Sequence, residues 1–278
     1  MSNYSVDLKE IRQTLEEADA IVVGIGAGLS TASGIAYSGP RFMKYFADFH
    51  EKYGIEDIYS GGFYPFESLE EYWAWWSRHV YYNRYDVEIG QPYLDLLAFL
   101  EDKNYFILTT NVDHQIQRAG VDKSRLFYMQ GDYGLWQCSK PCHQDTYENE
   151  KVVKQMIDQQ AEMKIPSDLI PYCPRCGEPM TMNLRSDDRF VEDVGWHEAK
   201  DRYVTFLNQN ISKKIVFLEL GVGNDTPAII KYPFMQMTYQ NPQARFISVN
   251  VERFFLPEEI KKQSKEVVGD LAAFLGQL

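Results

Sequence analysis

Cysteine is scarce: four occur in 278 residues, all between positions 138 and 176. Such a cluster is wrong for a secreted disulfide scaffold and points instead to reduced thiols gathered at one metal clip. Long apolar runs are also missing. No stretch reaches the roughly 18 consecutive apolar residues of a membrane span, and the opening MSNYSVDLKEIRQTLEEADA has no apolar signal core. A soluble, cytoplasmic protein with no membrane partner is expected. Basic residues are in deficit, 28 against 40 acidic, for a formal charge of -12. That field repels phosphate backbones, so nucleic acid is a poor partner. Low-complexity segments and internal repeats are absent from the sequence as well.

What is present is ordinary globular material, 45% hydrophobic and 24% charged. A chain of this length suits one large domain carrying a smaller module. Residues 7–18 have helical spacing, with Asp7 and Glu10 placed as a capping box. The buried-strand run AIVV at 20–23 then leads into GIGAGLSTASG, a glycine-rich turn with a helix expected to start near Ser30 and Thr31. Glycines let backbone N–H groups approach an anion, and a helix start directs its positive end there, which makes this a nucleotide-binding opening. A mere tight turn would look similar.

Residues 41–91 hold most of the tryptophans and many tyrosines at helical spacing, as in ESLEEYWAWWSRHVYYNRY, and read as inserted helices whose rings pack a core. Two further strand candidates end in TTNVD (109–113) and QGDYG (130–134), and open parallel sheets bind ligands at such strand ends. Strands at 215–220 and 245–249, a helix at 227–239 and a short closing helix at 270–278 restore the α/β pattern after a polar excursion. Cys138-x3-Cys142 and Cys173-x2-Cys176 frame that excursion and form a structural zinc site of four thiolates. The long gap between the pairs holds an insertion, with a helix expected at 151–164.

At GAGLSTASGI (26–35), TTNVD, Gln130-Gly131, the four-cysteine module and the late LGVG, SVN and VGD segments, the chain resembles the sirtuin family over nearly its whole length. The resemblance implies an α/β fold: a Rossmann-like parallel-sheet NAD domain (1–40, 92–135 and 205–278), a smaller helical lobe (41–91) and a zinc-binding module with substrate loop (136–204). It also implies that NAD, the co-substrate, is held by Ala27, Gly28, Thr31, Arg41, Asn111, Asp113, Gln130, Gly221, Val222, Asn250, Val251 and Asp270. Within that set Ala27, Gly28 and Thr31 surround the diphosphate, Asn111 orients the reacting ribose, Asp113 faces the nicotinamide amide, and Asp270 lies near the adenine. Asn111 and Asp113 equally fit a turn or a helix cap on residue type alone.

The departures carry as much as the matches. Deacylating sirtuins place a histidine base where this chain has Gln130, and an amide takes up no proton near neutral pH. Deacylation should be slow or missing, while loss of nicotinamide needs no such base. The segment after Ile35 reads Ala36-Tyr37-Ser38-Gly39-Pro40-Arg41, with Arg41 displaced from the family arginine, and DDRFVEDVGWHE (187–198) departs from the family's peptide-binding stretch. His197 in that stretch is a solvated histidine or a substitute base. Together these features resemble the macrodomain-linked class M branch of bacterial sirtuins. That branch implies ADP-ribosyl transfer, with Asn111, Gln130 and Asp113 as catalytic residues, to a lipoyl-carrying protein like the glycine cleavage H protein, and a macrodomain hydrolase as partner. An NAD-dependent lysine deacylase and a non-catalytic NAD or ADP-ribose sensor are the alternatives.

Overall fold

The computed structural model describes residues 2–223 and 227–278, with residues 2–7 described by their backbone alone. Nine strands are present among them: β1 (Ala20–Ile25), β2 (Tyr105–Thr109), β3 (Leu126–Tyr128), β4 (Gly131–Cys138), β5 (Tyr147–Glu148), β6 (Met180–Leu184), β7 (Ile215–Leu220), β8 (Arg245–Asn250) and β9 (Ser264–Val268). Six form a parallel sheet in the order β3-β2-β1-β7-β8-β9. Every residue of β1, β2 and β7 is buried, as expected where helices cover both faces of a parallel sheet. The chain leaves β1 toward β2 on one side and returns to β7 on the other. The loops after β1 and β7 therefore diverge at the topological switch point, where such sheets open a ligand crevice.

Helix α1 (Ser2–Glu16) places Ile11 and Leu15 in the sheet core. It begins before the expected start at Asp7, whose side chain lies outside the described residues. Helix α2 (Ala27–Ala32) starts at the glycine turn itself, ahead of the expected Ser30. The small lobe follows with α3 (Pro40–Tyr53), α4 (Ile58–Gly61) and α5 (Leu69–Val80), and the last runs into a π-helical turn at Tyr81–Tyr85. The chain then re-enters the large domain through α6 (Gln91–Leu100) and, after β2, α7 (Gln115–Arg118).

The aromatics of the small lobe pack on one another. Phe42, Phe46, Phe49, Trp73 and Trp75 are fully buried, and Phe49 meets Trp75 edge to face at 5.1 Å. Each such ring contributes about 1.5–3 kcal/mol by leaving water, which makes this cluster the lobe's own core. An antiparallel sheet, β5-β4-β6, and α8 (Glu150–Gln159) complete the lobe. Helix α8 ends short of the expected Lys164. Helix α9 (Val194–Asn210) returns to the large domain, with Trp196 meeting Phe127 of β3 edge to face at 5.1 Å. Positions 135 and 204, the expected ends of two segments, fall inside β4 and α9, and among the described residues β4 pairs only with β5 and β6. Helices α10 (Lys231–Gln240) and α11 (Leu271–Leu275) close the fold.

Candidate active site

Two glycine loops meet at the switch point. The Gly26 N–H donates to Leu220 O at 3.0 Å and the Gly28 N–H to Gly221 O at 2.8 Å. A Cβ on Gly28 would lie 2.8 Å from Gly221 Cα, and one on Gly221, whose φ is +66°, would lie 2.7 Å from Gly28 Cα. These glycines thus seat two backbones against each other, a constraint absent from the reading of the turn as an anion cradle alone. Ala27 and Thr31 are exposed at the same edge. Beneath the second loop Glu219, fully buried on β7, accepts from the Val222 N–H at 2.5 Å and lies 3.9 Å from the equally buried Lys231. Burial pushes its carboxyl up against the opposing pull of Lys231. The clue was a charged residue inside the run IVFLEL, and composition alone did not reveal its role.

At the end of β2, Asn111 and Asp113 enter one buried network. Asn111 Nδ2 donates to Gly26 O at 2.9 Å, Ser30 Oγ at 2.9 Å and Tyr93 OH at 3.0 Å. Ser30 Oγ donates to Asp113 Oδ2, and the Gln115 N–H donates to Asp113 Oδ1 at 3.0 Å. Burial pushes the Asp113 carboxyl above its ordinary range, with the Ser30 and Gln115 donors pulling the other way. The amide hydrogens of Asn111 are all engaged by protein, so its Oδ1 is the atom left to hold a ligand hydroxyl. Ser30 and Tyr93 belong to this site and were not singled out from sequence, although Ser30 lies inside the glycine motif.

The loop between β3 and β4 carries Gln130 alongside this network, since the Met129 N–H donates to Thr109 O at 3.2 Å and the Tyr133 N–H to Val112 O at 2.9 Å. No hydrogen bond of the Gln130 side-chain amide is seen among the described residues. Next to it, Asp132 binds His114 Nδ1 through Oδ2 and Arg84 Nε through Oδ1, the latter at 2.6 Å. Burial pushes the Asp132 carboxyl up, but His114 and Arg84 outweigh it and hold the group below its usual range. Arg84 comes from the π-helical turn, an irregularity that often marks a functional position.

Comparison with known proteins sets this geometry in context. No family model matches the chain. A Staphylococcus aureus protein ADP-ribosyltransferase is 39% identical, covering 99% of this chain and 88% of that protein. The chain belongs to the family of sirtuin-fold protein ADP-ribosyltransferases. A Fusarium oxysporum protein described as a probable bifunctional ADP-ribose hydrolase and ADP-ribosyltransferase is 30% identical over 80% of this chain, which spans 38% of that protein. The fold likeness is to structures such as Sir2 with a p53 peptide and NAD+, with a TM-score of 0.58 and 18% identity, covering 97% of this chain and 96% of that one.

Of the remaining expected residues of this sirtuin, Asn250, Val251 and Asp270 lie at or near the ends of β8 and β9, whereas Arg41 does not. Asn250 Nδ2 donates to Val222 O at 2.8 Å, Val251 is exposed just beyond β8, and Asp270 caps α11 by accepting from the Ala273 N–H at 2.8 Å. Arg41 lies in the small lobe, donating to Asn83 Oδ1 at 2.7 Å and Tyr82 O at 2.6 Å. His197 sits on α9 with 57% of its side chain exposed, facing Glu192 at 3.9 Å.

The metal centre lies in the small lobe. Cys138, Cys142, Cys173 and Cys176 bring their sulfurs within 4.8 Å of one another, with Cys138 to Cys176 at 3.5 Å and Cys142 to Cys173 at 3.7 Å. Tetrahedral zinc with bonds of about 2.3 Å needs sulfurs roughly 3.8 Å apart, so the donor set fits zinc. Desolvation and the neighbouring sulfurs push the Cys142 thiol up to about 12, a cost that a bound cation would offset. His143 Nδ1 lies 3.0 Å from Cys142 Sγ while its Nε2 meets Tyr147 OH at 2.8 Å, a second layer that orients the ligand. With every position taken by sulfur, zinc here would stabilise the lobe without entering the chemistry.

Proposed function

We propose that this chain cleaves NAD, releases nicotinamide and transfers the ADP-ribose to a protein acceptor, with lysine deacylation slow or missing. The observation that carries the reading is Gln130. A residue that cannot titrate stands beside the Asn111 and Asp113 network, where a deacylating sirtuin uses a base. NAD would lie along the carboxyl edge of the sheet at the switch point. Ala27, Gly28 and Thr31 would meet the diphosphate, Gly221 and Val222 the neighbouring loop, Asn250 and Val251 the adenosine ribose, and Asp270 the adenine. Arg41 would close from the small lobe.

Breaking the bond between ribose C1′ and the nicotinamide nitrogen builds positive charge on the ribose, as in glycoside cleavage. Asn111 Oδ1 would hold a ribose hydroxyl. Asp113 would accept from the nicotinamide carboxamide, and the Gln130 amide would orient the ribose without titrating. The acceptor is a lipoyl-carrying protein similar to the glycine cleavage H protein, in a cytoplasmic setting, with a macrodomain hydrolase as partner enzyme of the class M branch. The Fusarium relative, described as both hydrolase and transferase, supports that pairing.

Incubation of the protein with NAD labelled in the adenylate phosphate and a lysate supplying lipoyl-carrying proteins tests this. Label should enter protein in step with nicotinamide release. Release of acetyl groups from acetyl-lysine peptides at the rate of NAD consumption, with no labelled protein, would replace the transferase reading with a deacylase.

A further inference from the structure

We propose that His114 and Asp132 form a proton-accepting pair, with His114 Nε2 taking the proton of the acceptor's nucleophile during transfer. This rests on the transferase reading above and extends it to the acceptor, whose attacking side chain would then be one that carries a proton at neutral pH, a hydroxyl, thiol or amine.

Three observations converge on the pair. His114 follows Asp113 directly, and Asp132 stands two residues beyond Gln130 at the start of β4, so the pair joins the two segments that hold the expected chemistry. The contact through Nδ1 leaves Nε2 without a hydrogen bond among the described residues, and the side chain is 30% exposed. An acid that fixes one imidazole nitrogen orients the other and stabilises the imidazolium, the arrangement by which carboxylate and histidine serve as a base in hydrolases. Finally, the pair is held from outside: the Arg84 guanidinium grips Asp132 at 2.6 Å, and Gly134 makes room, since a Cβ there would lie 2.5 Å from that guanidinium. His114 also keeps a left-handed backbone, φ 65° and ψ 13°, uncommon for a side-chain-bearing residue.

The step balances without another reactant. The nucleophile X–H forms the C1′–X bond, the C1′–nitrogen bond breaks with its electron pair going to the nicotinamide ring nitrogen, and the proton passes to Nε2 and then to water. The charged and titratable groups around the imidazole are Asp132 on β4, Arg84 on the π-helical turn behind it, and Asp113 on its own loop. Arg118 of α7 is turned away to the Arg84 and Val87 carbonyls at 3.2 and 2.5 Å.

The test uses His114→Gly, because glycine adopts the left-handed conformation without strain. With the full-length protein, labelled NAD and a fixed lysate fraction, label incorporation is followed from pH 5 to 9, with and without added imidazole, and NAD affinity is measured by titration calorimetry. A base predicts loss of roughly 10²-fold or more at pH 7.5 with NAD affinity retained, recovery of a measurable part of the rate by imidazole, and disappearance of the acid limb of the wild-type profile. Unchanged transfer in the variant, or a loss that imidazole does not restore at any pH, overturns the proposal. Absence of protein labelling by the wild type would overturn the transferase reading instead.

Discussion

Replacing Ser30 by alanine should destabilise the protein in a pH-dependent way. The Ser30 hydroxyl donates to Asp113 Oδ2 inside the core, and Asp113 is only 4% exposed. A hydrogen bond to a charged group contributes about 1.5–3 kcal/mol, so its loss should raise the Asp113 carboxyl further. Asn111 retains Gly26 O and Tyr93 OH as acceptors, while the buried contact of Ser30 Oγ with Tyr93 OH at 2.9 Å is lost at every pH. Burial already holds the folded-state carboxyl above its ordinary value, and an acid shifted upward favours the fold at low pH and loses that contribution as pH rises through the folded-state pKa. The deficit of the variant should therefore be smaller near pH 4 and grow by about 1.5–3 kcal/mol toward pH 7.5, a Tm lower by roughly 2–4 °C for each kcal/mol. Urea titrations at several pH values measure it. An equal deficit at pH 4.5 and 7.5 would refute the assignment of the effect to the Asp113 carboxylate.

Cys173→Ala should remove zinc and loosen the small lobe, seen as loss of the metal by elemental analysis together with loss of near-ultraviolet dichroism from the buried tryptophans. Gly28→Ala should cost about 1–3 kcal/mol by overpacking against the Gly221 backbone, a drop that denaturant melts would register. Asn111→Ala should lower nicotinamide release by roughly 10²-fold or more, because a misplaced ribose loses its alignment, and initial rates at saturating NAD would measure this.

The fold was legible because its signals are local. The apolar runs of β1, β2, β7 and β8 are short and end in glycines or polar clusters, and the four cysteines stand at metal-binding spacing. Helix boundaries were less so. Helix α8 stops at Gln159 before a left-handed pair, Glu162 and Met163, with φ of 49° and 59°, that residue type alone does not announce. The start of α2 at Ala27 follows from the loop pairing of Gly28 with Gly221, a contact across more than half the chain.

The site divides along the same line. Asn111 and Asp113 were found because they lie in one motif, whereas their partners come from elsewhere: Ser30 from α2 and Tyr93 from α6. His114 shows why proximity in sequence was not enough. Adjacent to a recognised motif, it has no visible role until the start of β4 brings Asp132 to its Nδ1 and the small lobe brings Arg84 behind Asp132. His197 drew attention because of where it falls in the sequence, yet it lies exposed on α9 beside Glu192. A histidine's capacity to take a proton depends on the carboxylate that orients it and the nitrogen left free, and both are set by tertiary contacts. The chain that carries Gln130 in place of a base has, on the neighbouring loop, an imidazole already held by an acid. Substitution at Gln130 and substitution at His114 therefore separate two roles, orientation of the ribose and acceptance of the nucleophile's proton: loss at Gln130 should leave the acid limb of the pH profile in place, and loss at His114 should remove it.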